Sequence, residues 1–156
     1  MCIRDSGYAA GKVIESFSKF QLTHRHRIIA QFHEWMTGTG LLYLKKHMPQ
    51  TGNIFTTHAT VMGRCIAGNN IPLYSKLEKY NAEQKAIEFN VVSKQSLEKL
   101  SAQEADCFTT VSDLTSKECK QFHGKEVDIV TPNGFENNFV PKGEEFNLRR
   151  IEAKVK

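Results

Sequence analysis

The sequence predicts an α/β domain built on an open parallel sheet with flanking helices, and two observations predict it. Four short apolar runs, Ile28-Ile29-Ala30, Ile54-Phe55, Cys107-Phe108 and Val127-Asp128-Ile129-Val130, are separated by stretches of helical character. That alternation is the pattern of successive βαβ units. Each run also ends in polar residues: Phe32-His33-Glu34-Trp35, Thr56-Thr57-His58-Ala59-Thr60, Thr109-Thr110-Val111-Ser112 and Thr131-Pro132-Asn133-Gly134. In a parallel sheet these clusters share the carboxyl edge, where ligands bind.

Taken in order, Val13, Phe17 and Phe20 predict a helix over 8–20, and His24-Arg25-His26-Arg27 is a polar link into a strand over 28–33. Gly38 and Gly40 are expected to open a short helix over 41–47, stopped by Pro49. Thr51-Gly52 turns into a strand over 53–58. The stretch 59–81, with Gly63, Gly68-Asn69-Asn70 and Pro72, reads as an irregular connection with a short helix near 74–80. Long ordered connections more often carry function. Ile87, Val91, Leu97 and Leu100 predict one or two helices over 83–104. A third strand is expected over 106–111. Thr115-Ser116-Lys117-Glu118 has the form of a capping box, so a helix starts between Ser112 and Thr115 and ends at Gly124. A fourth strand over 127–131 leads to the turn Pro132-Asn133-Gly134. From Glu144 onward the sequence reads as a charged helix carrying Phe146, Leu148 and Ile151.

With 156 residues there is enough chain for one domain with a real core. A net charge of +4 carried by scattered lysines favours a solvated surface over a nucleic-acid groove. No apolar stretch approaches the ~20 residues of a membrane span, and no signal-peptide pattern opens the chain. Neither nucleic acid nor membrane is therefore an expected partner. Cys2, Cys65, Cys107 and Cys119 form no C-x-x-C pair and read as reduced thiols of a cytoplasmic protein. The histidines lack zinc-site spacing, so no metal is expected. Phosphate-loop, dinucleotide and nucleophile-elbow signatures are absent from the sequence. Residues 1–6 fit nothing that follows and read as a non-native leader. Residues 7–135 read as a partial domain and 136–156 as a charged helix. Both ends read as non-native boundaries.

Each polar cluster has two readings. His33 and Glu34 face a ligand, or they form a strand-end turn packed by Trp35, with Glu34 starting a helix. His58 and Arg64 serve an anionic ligand, with Gly63 letting the backbone approach it, or they are a satisfied core histidine and a surface arginine. Ser112 reads as a helix N-cap, and Pro132-Asn133-Gly134 has only the composition of a turn. From the residues alone the reading stops at an α/β ligand-binding domain without a metal.

The ordered set of motifs is more specific than any one of them. Phe32-His33-Glu34-Trp35, Phe55-Thr56-Thr57-His58-Ala59-Thr60 with Gly63-Arg64, Phe108-Thr109-Thr110-Val111-Ser112 and Pro132-Asn133-Gly134 together resemble the eukaryotic-type glycogen synthase family (glycosyltransferase family 3) over roughly 8–150. The resemblance implies a Rossmann-like fold, this chain being part of the N-terminal domain of a two-domain GT-B glycosyltransferase, with 136–156 leading toward the C-terminal domain. It implies glucose transfer from UDP-glucose to the non-reducing end of an α-1,4-glucan, with retention and with neither cofactor nor metal. His58 would lie beside the transferred glucose, Arg64 would face the donor, Glu34 would contact acceptor or sugar, and Asn133 would face the cleft. His33, Thr57 and Gly134 join this expected set as substrate contacts.

The full-length protein is expected to be a cytoplasmic homo-oligomer and this polypeptide alone to be inactive. The Gly-rich nucleotide loop, and the basic pair and carboxylate motif of the C-terminal domain, are missing from the sequence. Met36-Thr37-Gly38 also stands where the family usually has Ala-Gly after Trp35. The rival readings are another retaining GT-B glucosyltransferase, of the sucrose- or trehalose-forming type, and a non-catalytic glucan- or nucleotide-binding module.

Overall fold

The computed structural model describes residues 3–23, 25–134, 143–144, 146–148 and 151. Four parallel strands lie side by side in chain order: β1 (Ile29–His33), β2 (Gly52–Thr57), β3 (Cys107–Thr110) and β4 (Ile129–Val130). Phe32 pairs with Phe55 and Phe55 with Phe108, while His33 stands beside Thr56 and Thr57 beside Thr110. Thr110 in turn pairs with Val130. All four carboxyl ends therefore meet on one edge, as the apolar runs predict.

Helices α2 (Glu34–His47), α5 (Val92–Glu104) and α6 (Asp113–His123) lie between successive strands. Parallel crossovers are right-handed, so strands taken in order put these helices on one face of the sheet. The core has that arrangement. Ala30, Phe32, Phe55 and Phe108 pack with Leu41 and Leu44 of α2, Ala102 of α5 and Cys119 of α6. Alternate strand residues turn the other way, and there Ile29 and Ile129 are exposed. On that face Gln31 Nε2 donates to Thr56 Oγ1 (3.0 Å), and the Thr56 and Thr109 hydroxyls are 2.8 Å apart. A second core under α3 (Val61–Gly68) and α4 (Ala82–Glu88) joins Met62, Ile66, Leu73, Ala86 and Phe122.

Several elements differ from expectation. The connection 59–81 carries the short helix expected near 74–80, as a 3-10 helix (Tyr74–Lys79), but it also holds α3, where irregular chain was expected. Thr60 caps α3, its hydroxyl accepting from Gly63 N (2.8 Å), and Met62 and Ile66, one turn apart, are fully buried. Helix α1 spans Ile3–Gln21, and its stripe of Val13, Phe17 and Phe20 faces outward. Its packing face holds Gly7 and Gly11, because a Cβ on Gly40 of α2 would meet Gly7 O at 2.5 Å and one on Gly11 would meet Gly40 O at 3.1 Å. Backbone-to-backbone contact thus outweighs the larger side chains. Gly38 and Gly40 accordingly lie inside α2, at its contacts with α5 and α1, and do not open it.

In α5 the buried face is largely polar, with Gln95, Glu98 and Ser101 enclosed beside Ala102 while Leu100 is exposed. The cap of α6 is Ser112, which accepts from Thr115 N (3.1 Å), and Gly124 ends the helix at φ 67. Thr115 therefore heads no capping box, and Glu118 bonds elsewhere. Ile3 to Ser6, expected as part of a leader, belong to α1. Met1, Cys2 and most of the charged helix expected over 136–156 lie outside the described residues. Among the described residues no helix is long and apolar enough to cross a membrane.

Candidate functional site

The site begins at the junction of β1 and α2. His33 is extended (φ −113, ψ 129), and Glu34, the first residue of α2, has φ 64. This left-handed conformation costs a non-glycine residue on the order of 1 kcal/mol. From this turn the Glu34 side chain reaches the end of β2. Its Oε1 accepts from His58 N (3.0 Å) and Ala59 N (3.3 Å), and lies 3.6 Å from Arg64 Nη2. The Glu34 side chain is 14% exposed and that of Arg64 64%. At 3.6 Å the ion pair is too long for a hydrogen bond, so the arginine fork keeps donors for a further anion.

His33 Nδ1 lies 3.0 Å from His58 Nε2, one ring donating and the other accepting. The pair bridges the ends of β1 and β2, with ring centroids 5.3 Å apart. Helix α2 is further fixed by Thr37, whose hydroxyl donates to His33 O (2.7 Å). Lys94 lies 5.3 Å from the centre of the Trp35 ring, a cation–π contact that ties α5 to the same corner.

A second polar network lies behind α3. The Thr60 hydroxyl donates to Glu118 Oε2 (2.7 Å), and Tyr74 donates to Glu118 Oε1 (2.9 Å). Val61 N donates to Glu98 Oε2 (2.9 Å), and His123 Nε2 is 3.5 Å from the same oxygen. Glu98 and His123 are both fully buried. Burial pushes the Glu98 carboxyl up to about 8 and the His123 imidazole down to about 4. At pH 7 their contact therefore joins two uncharged groups and is not an ion pair.

Of the expected site residues, the structure brings His33, Glu34, His58 and Arg64 together. Thr57 is fully enclosed, so its side chain offers no surface to a ligand, and among the described residues its hydroxyl has no hydrogen-bond partner. Asn133 and Gly134 are exposed on the same edge beyond β4, two strands from β2, or roughly 10 Å at the usual strand spacing. No hydrogen bond among the described residues ties them to the histidines. Gly63, expected to admit a ligand, is instead approached by Glu118, whose carboxylate occupies the space of a Cβ. Thr60 belongs to one of the polar clusters the sequence points to, whereas nothing in the sequence points to Tyr74, Glu98 and Glu118 for this site. Among the described residues no group of three His, Cys, Asp or Glu side chains is placed to hold a metal ion.

A parallel α/β layer whose polar cluster lies on the carboxyl edge defines a domain of the Rossmann-like, ligand-binding class. Comparison with known proteins makes that class specific. The chain matches the sequence model described as Glycogen synthase over residues 6–155. It is 41% identical over 107 residues to "Glycogen [starch] synthase, liver" of Rattus norvegicus, an alignment covering 69% of this chain and 15% of that protein. It is 34% identical over 128 residues to "Glycogen [starch] synthase" of Dictyostelium discoideum, covering 82% of the chain and 14% of the relative. The Caenorhabditis elegans protein of the same name is 30% identical over 128 residues, covering 82% and 19%. The chain belongs to the glycogen synthase family. It spans less than a fifth of the length of these relatives.

Proposed function

We propose that the full-length protein carrying this chain transfers glucose from UDP-glucose to the non-reducing end of an α-1,4-glucan, with retention at the anomeric carbon. One observation carries the reading: Glu34 Oε1 gathers His58 N, Ala59 N and Arg64 at one point of the carboxyl edge. In such a transfer the bond from C1 of glucose to the diphosphate oxygen breaks. The bond from C1 to the acceptor hydroxyl oxygen forms on the same face, and the hydroxyl proton leaves on the phosphate. Negative charge grows on the diphosphate and positive charge on C1.

Arg64 faces the growing negative charge with its planar fork of donors. Glu34 fixes the backbone of His58 and Ala59, and so sets the polar groups beside the glucose. The His58 imidazole, braced by His33, bonds a glucose hydroxyl, and Asn133 and Gly134 line the cleft farther along the edge. No resident cofactor enters this scheme. The principal cations for the diphosphate come from a second domain, so this polypeptide alone is inactive. The assembled protein is a cytoplasmic homo-oligomer.

Incorporation of labelled glucose into glycogen by the full-length protein tests the reading. His58→Ala and Arg64→Ala should each lower kcat by about 100- to 1,000-fold, the usual loss for a transition-state donor, with circular dichroism unchanged. Near-normal turnover in both variants rejects the site assignment. Wild-type protein that transfers glucose only to a monosaccharide, or not at all, rejects the glucan reading.

A further inference from the structure

We propose that Glu118 of α6 is a positioning residue for the transfer reaction, holding the first turn of α3 so that Arg64 and His58 keep their places on the carboxyl edge. The inference rests on the proposed transferase function and adds a residue far from the edge motifs.

Glu118 is buried, and both of its oxygens are used. Oε2 takes the Thr60 hydroxyl (2.7 Å), and Oε1 takes the Tyr74 hydroxyl (2.9 Å). The Thr60 hydroxyl also accepts from Gly63 N (2.8 Å). A continuous chain therefore runs from carboxylate to hydroxyl to the amide of the residue before Arg64. The carboxylate also presses directly on that residue. A Cβ on Gly63 would collide with Glu118 Oε2, so only glycine lets the acid lie against the backbone there. Glu98, from α5, takes Val61 N on the same turn (2.9 Å). Tyr74 begins the 3-10 helix that follows α3, so its bond to Glu118 ties down the far side of the segment as well.

A helix start needs far less than this. Thr60 caps α3 by itself, and a cap alone satisfies the exposed amide. Placing carboxylates behind a short helix is costly, because buried acids lose their hydration. What the arrangement supplies is a fixed position for the backbone of 60–63, with the Glu118 carboxylate at the favourable end of the helix dipole. Arg64 follows directly, and its guanidinium is exposed and only loosely paired. The head group can move, but its root is held. Among the described residues no hydrogen bond or ion pair joins Glu118 to His58 or Arg64, so it acts through the backbone that carries them.

Transfer from UDP-glucose to glycogen by the full-length protein gives the test, and wild type is measured first. A wild type without transfer fails the function reading and says nothing against the clamp. With an active wild type, Glu118→Ala should lower kcat by about 10- to 100-fold, the scale of a small misplacement near the chemistry. The KM for glycogen should stay within about twofold. Glu118→Gln keeps an oxygen for one hydroxyl and an amide for the other, and should recover kcat to within about fivefold of wild type.

Leu44→Ala, in the core face of α2 and fully buried, controls for lost stability and should keep near-normal kcat in the folded enzyme. Glu118→Ala with kcat within about twofold of wild type overturns the proposal, and so does equal loss in Leu44→Ala. If Glu118→Ala does not fold, Tyr74→Phe carries the test, since it removes one hydroxyl from a half-exposed ring. A drop of about threefold or more in kcat supports the clamp, and a smaller change overturns it.

Discussion

The segment 58–64 is gripped from two sides by acidic side chains used in opposite ways. In front, Glu34 sits on a strained backbone, partly open to solvent, and shares one oxygen among two amides and an arginine. Behind, Glu98 and Glu118 are buried on regular helices and bond to an amide and two hydroxyls. The front grip includes a free-ended cation, so a charged ligand arriving at the edge can rearrange it. The two acids of the rear grip are buried, and only the fold can move them. Freedom at this site is therefore one-sided: the side chains facing the edge can adapt, while the backbone that carries them cannot.

Removing the front grip should have the largest effect. In the full-length protein, Glu34→Ala leaves two amides and Arg64 without their shared partner, and kcat/KM should fall by about 100-fold or more. Glu34→Gly should be just as inactive. It should also be more stable than the alanine variant by about 1 kcal/mol, because glycine accepts φ 64 without strain. Urea midpoints of the two variants measure that difference. Equal stability would mean that the front grip stores no backbone strain, and the contrast with the rear would narrow to burial alone.

The front and rear grips also differ in how well the sequence reveals them. His33 and Glu34 are adjacent, and His58 and Arg64 are six residues apart. Each pair follows an apolar run, and the parallel order of the strands brings the two pairs together. Glu98 and Glu118 come from helices far along the chain, and their meeting with Val61 and Thr60 depends on how those helices pack. Periodicity points the wrong way there, because Gln95, Glu98 and Ser101 of α5 are buried beside Ala102 while Leu100 is exposed. The T-x-x-E pattern at Thr115 also suggests a local use for Glu118 and hides its long-range one. Thr60 followed by Met62 and Ile66 signals α3, but Gly63 and Gly68 mask it. Gly63 is open to the backbone for an internal carboxylate, which no local rule distinguishes from a ligand.

The two grips are set relative to one another where α2 crosses α5. A Cβ on Gly38 would collide with the Ser101 hydroxyl, and Ser101 lies one turn beyond Glu98. Gly38→Ala should therefore push the front helix away from the rear one and cost about 2 kcal/mol as overpacking. Ser101→Gly in the same background should recover much of that loss, so the two changes should fall short of additive by about 1 kcal/mol. Additive costs in urea unfolding would mean that the helices repack independently and that front and rear are not registered through this contact.

The smallest effect, and the one most specific to the buried side, is on pH dependence. Glu98 is raised from 4.5 to about 8, chiefly by burial. Between those values the folded protein holds a proton that the unfolded chain releases, and stability falls as pH rises. His123 is lowered from 6.5 to about 4, again chiefly by burial. Between those values the unfolded chain holds the extra proton, and stability rises with pH. From 4.5 to 6.5 the two slopes oppose and nearly cancel. From 6.5 to about 8 only the Glu98 slope remains, and wild type should lose about 1 kcal/mol per pH unit. Glu98→Gln keeps a carbonyl oxygen for Val61 N and removes that slope. The variant should gain stability between about 4 and 6.5, where His123 then acts alone, and stay flat above. Urea midpoints across this range distinguish the two profiles. A wild type that is flat from 6.5 to 8 would mean that Glu98 ionises at little cost, and the rear grip would then be as open to water as the front.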